Sequence, residues 1–237
     1  GFSRDDEGRG IAIDGADQAY ATGSVQRDFL DPSAVTFNRF NNAEISGGGQ
    51  SLTTTNFSSE AGAFGPTSEV TIAGGTVSAG QDTLATVSAT NLSVSGTGFA
   101  SSFVSSNFPV TTNGQAFLSI TFAVLRDGSY SFPSVTTSAS GSSFPDGTAL
   151  TEVRFSDATA GVLFTQQNDV SGNGQTSSNL FGSSSGSLTP GHTYTLTAVA
   201  NQQSQDAISV DQSSSFNFSF SASASNDTDA FVIVLDS

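Results

Sequence analysis

Few residues in this chain could carry catalysis, and a Ser-His-Asp mechanism would have to run through its single imidazole, His192. His192 follows Thr189-Pro190-Gly191, a sequence typical of a type II turn, where a histidine ordinarily faces solvent. A pair of carboxylates could hydrolyse glycosides. Solvated surface acids are the more frequent explanation of scattered carboxylates, so we predict no catalytic residues and no enzyme activity. The carboxylates considered are Asp5, Glu44, Glu60, Glu69, Asp127 and Glu152.

Oxygen-rich clusters suggest a second kind of chemistry, the binding of a hard cation such as Ca²⁺, which takes about six to eight oxygen ligands. The strongest candidate is Asn226, Asp227 and Asp229, because this cluster follows one apolar strand pattern and precedes the next. Its spacing fits neither the EF-hand loop nor a repeated nonapeptide. Asx-rich turns explain the same residues without a metal. Calcium is therefore the one cofactor considered, and no other cofactor is expected.

The composition excludes several classes of function. The formal net charge is −15, and 6 basic residues are too few to replace the counterions of nucleic-acid phosphates, so no nucleic-acid partner is expected. The absence of cysteine excludes disulfides, thiolate metal sites and cysteine nucleophiles. No apolar run approaches the ~18–20 residues of a membrane-spanning helix. The start at Gly1, without a leader, leads us to expect a processed and exported chain.

The apolar residues recur with a period of two, which is typical of half-buried antiparallel strands. In residues 215–224, Phe216, Phe218 and Phe220 alternate with serine and asparagine. Residues 117–125 and 193–200 repeat the pattern with Thr and Ser on the polar side. No window shows the apolar spacing and the caps of an amphipathic helix. The periodicity predicts an all-β fold.

Turn sequences divide these strands. Asp127-Gly128 and Asn113-Gly114 are strong turn dipeptides, and the predicted strands follow one another every ~8–15 residues, as in a sandwich or jelly roll. No Pro-rich linker separates two units. We predict an antiparallel two-sheet β-sandwich, jelly-roll-like, as a single domain over residues 19–237. Residues 1–18 are predicted to be an extended tail held by a neighbouring subunit.

The segment Gly186-Ser-Leu-Thr-Pro-Gly-His-Thr-Tyr-Thr-Leu-Thr-Ala198, followed by Phe216-Asn-Phe-Ser-Phe220, resembles secreted bacterial proteins of the PEP-CTERM type. In that group a G-x-L-x-P-G-x-Y-x-L strand precedes an alternating Phe/Ser strand on a cysteine-free, Ser/Ala/Gly-rich sandwich. The resemblance covers about 117–224 and implies an exported matrix or surface protein with no catalytic residues. The Pro-Glu-Pro signal, membrane helix and basic tail of the family are missing, so the resemblance does not support anchoring by that route.

The two ends of the chain suggest self-assembly. Residues 1–10 are charged and have no apolar face, whereas residues 231–235 are apolar on both faces. Such a segment is either an internal strand of its own sheet or a strand that completes a neighbour's sheet. A head-to-tail contact of the second kind propagates into a fibre. We predict an extracellular or cell-surface structural protein that forms a homopolymer (a fibre, pilus-like filament or matrix) by terminal strand addition. The residues assigned to this contact are Gly1, Phe2, Phe231, Ile233 and Leu235, and which terminus is exchanged is left open.

The alternative is a secreted calcium-dependent carbohydrate-binding or adhesion module with a surface polysaccharide as partner. Such modules generally stack sugars on exposed Trp or Tyr. This chain has no Trp and only three tyrosines, Tyr20, Tyr130 and Tyr194. Tyr130 and Tyr194 belong to alternating strand patterns, so we expect them in the core. The composition therefore favours a structural role over sugar binding.

Overall fold

The computed structural model describes residues 7–13, 19–25, 28–141, 147–171, 178–225 and 229–235, and within these the side chains of 28–141, 147–170 and 180–225. Strands occupy most of these residues, and the helical structure described is one short 3-10 turn, Pro32–Ala34. The strands are β1 (Glu7–Ile13), β2 (Ala19–Val25), β3 (Thr36–Gly47), β4 (Gln50–Ser58), β5 (Gly62–Phe64), β6 (Thr67–Ile72), β7 (Gly75–Val87), β8 (Asn91–Ala123), β9 (Gly128–Gly141), β10 (Gly147–Asp157), β11 (Gly161–Ser171), β12 (Ser178–Leu188), β13 (Thr193–Ala224) and β14 (Asp229–Leu235).

Every strand pairing is antiparallel, and the pairings form two sheets. A three-stranded sheet has the order β1-β2-β14, and all other strands belong to an eleven-stranded sheet. The prediction of an all-β fold is confirmed. Within the described residues no helix is long and apolar enough to cross a membrane.

The eleven-stranded sheet is organised by two very long strands. β8 has 33 residues and β13 has 32, and they pair along almost their whole length, from Asn91 opposite Ser223 to Ala123 opposite Thr193. The register shifts between Ser204 and Ser209, beside Asp206, which has a φ of 50°. One half of the pair binds β3 and β10, and the other half binds β7 and β9.

These two halves define two layers of the sheet. Layer A consists of β11, β10, residues 193–204 of β13, residues 112–123 of β8, β3 and β4, in that order. Layer B consists of β12, β9, residues 212–224 of β13, residues 91–104 of β8, and β7, which pairs with β5 and β6. β9 contacts β10 and β11, and β3 contacts β6 and β7, so the layers lie face to face.

A shared core fills the space between the layers. The rings of Phe122 in layer A and Phe220 in layer B lie 6.3 Å apart, and those of Phe155 and Phe132 lie 6.0 Å apart. Gln81 of layer B also crosses the interior, because its Nε2 donates to the carbonyl oxygen of Phe117 in layer A at 2.9 Å. Tyr130 and Tyr194 are buried in this core, as predicted.

The finer predictions of architecture have different outcomes. The jelly-roll-like arrangement of two sheets is not confirmed, because hydrogen bonds link all eleven strands into one sheet. The turn predicted at Asn113-Gly114 is wrong, since both residues lie inside β8. Gly114 serves packing instead: a Cβ there would lie 2.8 Å from Nε2 of Gln202. The turn at Thr189–His192 is confirmed, with Gly191 at φ 78°.

Candidate functional site: open sheet edges and the His192–Asp157 pair

The residues predicted to mediate assembly are only partly described. Phe231, Ile233 and Leu235 lie in β14, opposite residues 23, 21 and 19 of β2 in the same chain. β14 therefore belongs to the three-stranded sheet, and among the described residues it has no strand partner in the main sheet. β1, inside the predicted tail 1–18, pairs with the other side of β2. Gly1 and Phe2 lie outside the described residues, so terminal strand addition stays a prediction.

The predicted calcium cluster is likewise only partly described. Asn226 and Asp227 lie outside the described residues, and Asp229 is the first residue of β14, opposite Val25. In the described part of the chain, no group of three or more His, Asp or Glu side chains could hold a metal ion. Calcium binding stays a prediction.

The scattered carboxylates lie on different parts of the fold. Glu44 is on β3 opposite Asn113, and Glu152 is on β10 opposite Val199. β8 and β13 separate β3 from β10, and the β10 residue in line with Glu44 is Thr148. The backbones of Glu44 and Glu152 therefore lie about 14 Å apart across the sheet at ~4.8 Å per strand, and they are also offset by four residues along it. Glycosidase pairs stand at about 5–9.5 Å. This pair therefore does not meet the geometric requirement for glycoside hydrolysis.

One edge of layer A is formed by β4. It follows β3 through a two-residue turn at Gly48 and Gly49, whose φ values of 56° and 81° suit a hairpin turn that non-glycine residues rarely adopt. Among the described residues β4 pairs with β3 alone, so one side of its backbone has no strand partner. Its side chains are exposed or half-exposed along its whole length, which differs from every neighbouring strand of the layer.

The chemistry of this edge is unusual for an unpaired strand. Proteins commonly protect an exposed edge with Lys, Pro or a bulge. β4 reads QSLTTTNFS, which contains no charged residue and no proline, although the whole chain carries a net charge of −15. Its two apolar side chains are exposed, Leu52 at 44% and Phe57 at 64%. The β4 edge is thus neutral and partly apolar.

Arg39 holds the end of this edge in place. Arg39 is fully buried and its guanidinium lies over the rings of Phe37 and Phe64. The guanidinium donates to the carbonyl oxygens of Glu60 and, at 2.9 Å, Gly62. Burial lowers the pKa of Arg39, but an arginine stays charged in proteins. The side chain therefore fixes the loop that follows β4 against β3.

The opposite edge of layer A is β11, and β12 is the edge of layer B beside it. β11 contains one charged residue, Asp169, and β12 contains none. Exposed apolar side chains occur here too, namely Val162 on β11 and Leu180 and Phe181 on β12. Half of the large exposed hydrophobic side chains among the described residues thus lie on β4, β11 and β12.

The sequence predicts that His192 faces solvent. In the structure its side chain is partly covered and contacts a buried carboxylate. Its Nδ1 lies 2.7 Å from Oδ2 of Asp157, and because a carboxylate only accepts, Nδ1 is the donor. Asp157 is buried, and its Oδ1 accepts from the backbone N–H groups of Thr159 at 2.7 Å and Ala160 at 3.3 Å. Burial alone would raise the pKa of Asp157, but these hydrogen bonds outweigh it and hold the pKa below its ordinary value.

The pair joins two turns at one end of the sheet. Asp157 ends β10, and His192 lies in the turn before β13. Two backbone hydrogen bonds lie beside this pair. The N–H of Ala158 donates to the carbonyl oxygen of Thr193, and the N–H of Val124 donates to the carbonyl oxygen of His192. His–carboxylate geometry is what a catalytic base needs. Here the other carboxylate oxygen, Oδ1, caps the turn at Thr159 and Ala160, so the pair links that turn to the one that precedes β13.

Sequence reasoning missed both β4 and the partner of His192. β4 lacks the alternating pattern because neither of its faces is buried. Asp157 lies 35 residues from His192, and nothing in a single sequence joins them. Comparison with family models, curated proteins and solved structures found no match.

Proposed function

We propose that the protein is an extracellular or cell-surface structural subunit, without catalytic activity, that assembles with copies of itself into a fibre or matrix. The observation that carries the proposal is the β4 edge, which lacks a strand partner and the charges that normally protect such an edge. An edge of this kind is a template for pairing with another chain. The resemblance to secreted sandwich proteins supports the location.

The net charge makes the assembly sensitive to salt. Subunits of charge −15 repel one another, and salt screens that repulsion. The Debye length falls from about 10 Å at 0.1 M to about 3 Å at 1 M ionic strength. Fibres should therefore form at high salt and loosen on dialysis into low salt.

The test is negative-stain electron microscopy together with sedimentation velocity of the purified chain, from low salt to molar salt. Filaments of uniform width are expected at high salt. Monomers at every salt concentration would overturn the proposal. If those monomers also gained thermal stability with calcium or a polysaccharide, the carbohydrate-binding alternative would replace it.

Terminal strand addition remains one way to make the subunit contact. β14 could pair with β2 of a neighbour in the register that it uses in its own chain, which is the low-cost exchange seen in domain swapping. A chain ending at Ser225 lacks β14 but retains all eleven strands of the main sheet. If terminal exchange is the contact, this truncated chain should fold and fail to assemble.

A further inference from the structure

We propose that β4 of one copy pairs antiparallel with β11 of a second copy, so that layer A continues from subunit to subunit. The inference rests on the proposed function and identifies its contact. Three features of the described residues support it: the direction of the strands, the phase of their hydrogen bonds, and the chemistry of the two edges.

The direction of the strands is set by their number. Layer A contains six strands in the order β11-β10-β13-β8-β3-β4, and each runs antiparallel to the next. With an even number of alternating strands, β4 and β11 run in opposite directions. A copy moved sideways across the sheet therefore brings its β11 to β4 in the antiparallel orientation that the rest of the layer uses. An odd number would have given a parallel pair.

The phase of the hydrogen bonds at the β4 edge follows from its hairpin. In a two-residue hairpin the pair beside the turn, here Gly47 and Gln50, exchanges both hydrogen bonds, and every second pair does so along the ladder. The residues between these pairs direct their N–H and C=O groups away from β3. These residues lie on the outer face of layer A, which is the face directed away from layer B, since Thr53 and Phe57 are opposite Glu44 and Phe40. The residues with open backbone groups are Ser51, Thr53, Thr55 and Phe57.

The same alternation can be followed from strand to strand across layer A. It determines which residues of β11 direct their N–H and C=O groups away from the sheet. β10 bonds β11 through inward-facing pairs such as Val153 with Gln166, so the intervening residues point their backbone groups away from β10. These residues are Thr165, Gln167 and Asp169, and they lie on the outer face. A hydrogen-bonded antiparallel pair needs both residues on the same face. At both edges the residues that direct their backbone groups outward lie on the outer face. β4 and β11 can therefore form hydrogen-bonded pairs with each other.

The chemistry of the edges favours a second copy over a different partner. β4 has 9 residues and no charge, and β11 has 11 residues and one charge, so the contact avoids the repulsion that a −15 surface would otherwise impose. The contact would bring the exposed Phe57 and Leu52 beside β11, which carries the exposed Val162. One protein carries both edges, and their direction, bonding phase and low charge agree.

The test uses proline, which removes one N–H and is tolerated at edge positions where that N–H faces outward. We expect Thr53→Pro and Gln167→Pro to fold with nearly wild-type melting temperatures and to remain monomeric under conditions where the wild type forms filaments. Thr53→Val retains the N–H group and is the matched control, so it should still assemble. Thr54→Lys tests the same contact if either proline variant fails to fold. Thr54 is exposed on the inner face of β4, and a lysine on an edge strand opposes pairing with another chain.

Mixing the two proline variants distinguishes this contact from others. Thr53→Pro retains an intact β11 edge and Gln167→Pro an intact β4 edge, so the mixture should form dimers but no filaments in sedimentation velocity. Dimers of Gln167→Pro alone would show β4 pairing with itself and would overturn the inference. Filaments of Thr53→Pro or Thr54→Lys equal to the wild type would also overturn it, while leaving the proposed function intact. A wild type that never assembles overturns the proposed function, and the inference with it.

Discussion

Gly98→Ala should destabilise the fold, although this substitution stabilises many proteins. Gly98 lies in β8 directly opposite Phe216 of β13, and the buried Phe216 ring covers it. A Cβ at Gly98 would lie 2.3 Å from Cζ and 2.5 Å from Cε1 of that ring. Ordinary contacts begin near 3.4 Å, so the ring would have to move by about 1 Å within a close-packed core.

The magnitude follows from two opposing effects. Overpacking of a core costs about 1–3 kcal/mol. Replacing glycine reduces the entropy of the unfolded chain, which stabilises the fold by about 0.4–1 kcal/mol. The free energy of unfolding should therefore fall by about 1–2 kcal/mol, which lowers the melting temperature by about 2–8 °C for a chain of this size.

The assay is urea denaturation followed by circular dichroism, with Gly65→Ala as the matched control. At Gly65 the nearest atom to a new Cβ is Oδ1 of Asp82 at 3.7 Å, so this variant should be neutral or slightly more stable. Combining Gly98→Ala with Phe216→Leu should cost less than the sum of the single changes, since the smaller side chain relieves the clash. Equal stabilities of Gly98→Ala and Gly65→Ala would refute the reasoning.

Further predictions concern the two ionic sites and the terminal sheet. Asp157→Asn should lower the free energy of unfolding by about 1–3 kcal/mol at pH 7. Because the pKa of Asp157 is depressed in the fold, this difference should be present above about pH 4 and vanish as the pH falls through the folded pKa, in denaturation curves of both proteins against pH. Arg39→Lys retains the charge but not the planar fork that reaches two carbonyls, so it should cost about 1–3 kcal/mol in urea denaturation. The chain ending at Ser225 should retain one cooperative unfolding transition, because within the part of the chain that the structure describes β14 pairs with β2 and with no strand of the main sheet.

Each of these has an outcome that contradicts it. A stability difference for Asp157→Asn that does not diminish as the pH falls below about 4 would show that the carboxylate charge is not its source. Unchanged stability of Arg39→Lys would show that the fork adds nothing beyond the charge. Loss of cooperative unfolding in the chain ending at Ser225 would show that the main sheet depends on the terminal sheet.

Three cross-strand pairs show what a single sequence conceals. Gly98 faces Phe216, Gly186 faces Tyr130 and Gly80 faces Phe99, and in each case a Cβ on the glycine would lie within 3 Å of the aromatic ring. Rings that lie over glycines in this way fill the space that the missing side chain leaves. In the sequence nothing distinguishes these glycines from the others of a Gly-rich chain. The sequence of one strand does not show which residues of a distant strand lie opposite it.

The sequence by itself determined the class of fold and much of the core. Alternation of Phe216, Phe218 and Phe220 with polar residues is a local property, since successive side chains of any strand point to opposite faces. It therefore predicted correctly that these three phenylalanines are buried. The same logic failed at β4, whose two faces are both exposed and whose residues thus show no alternation.

Only the tertiary structure decided how far strands continue and which residues meet. Asn113-Gly114 favours a turn locally, but pairing with β13 on one side and β3 on the other keeps β8 extended through it. Asp157 and His192 meet because two turns come together at the same end of the sheet. The even number of strands in layer A, which sets the direction of its edges, is likewise a property of the assembled sheet. Such contacts join residues far apart in the chain, so their free energy depends on the whole fold and leaves no local pattern.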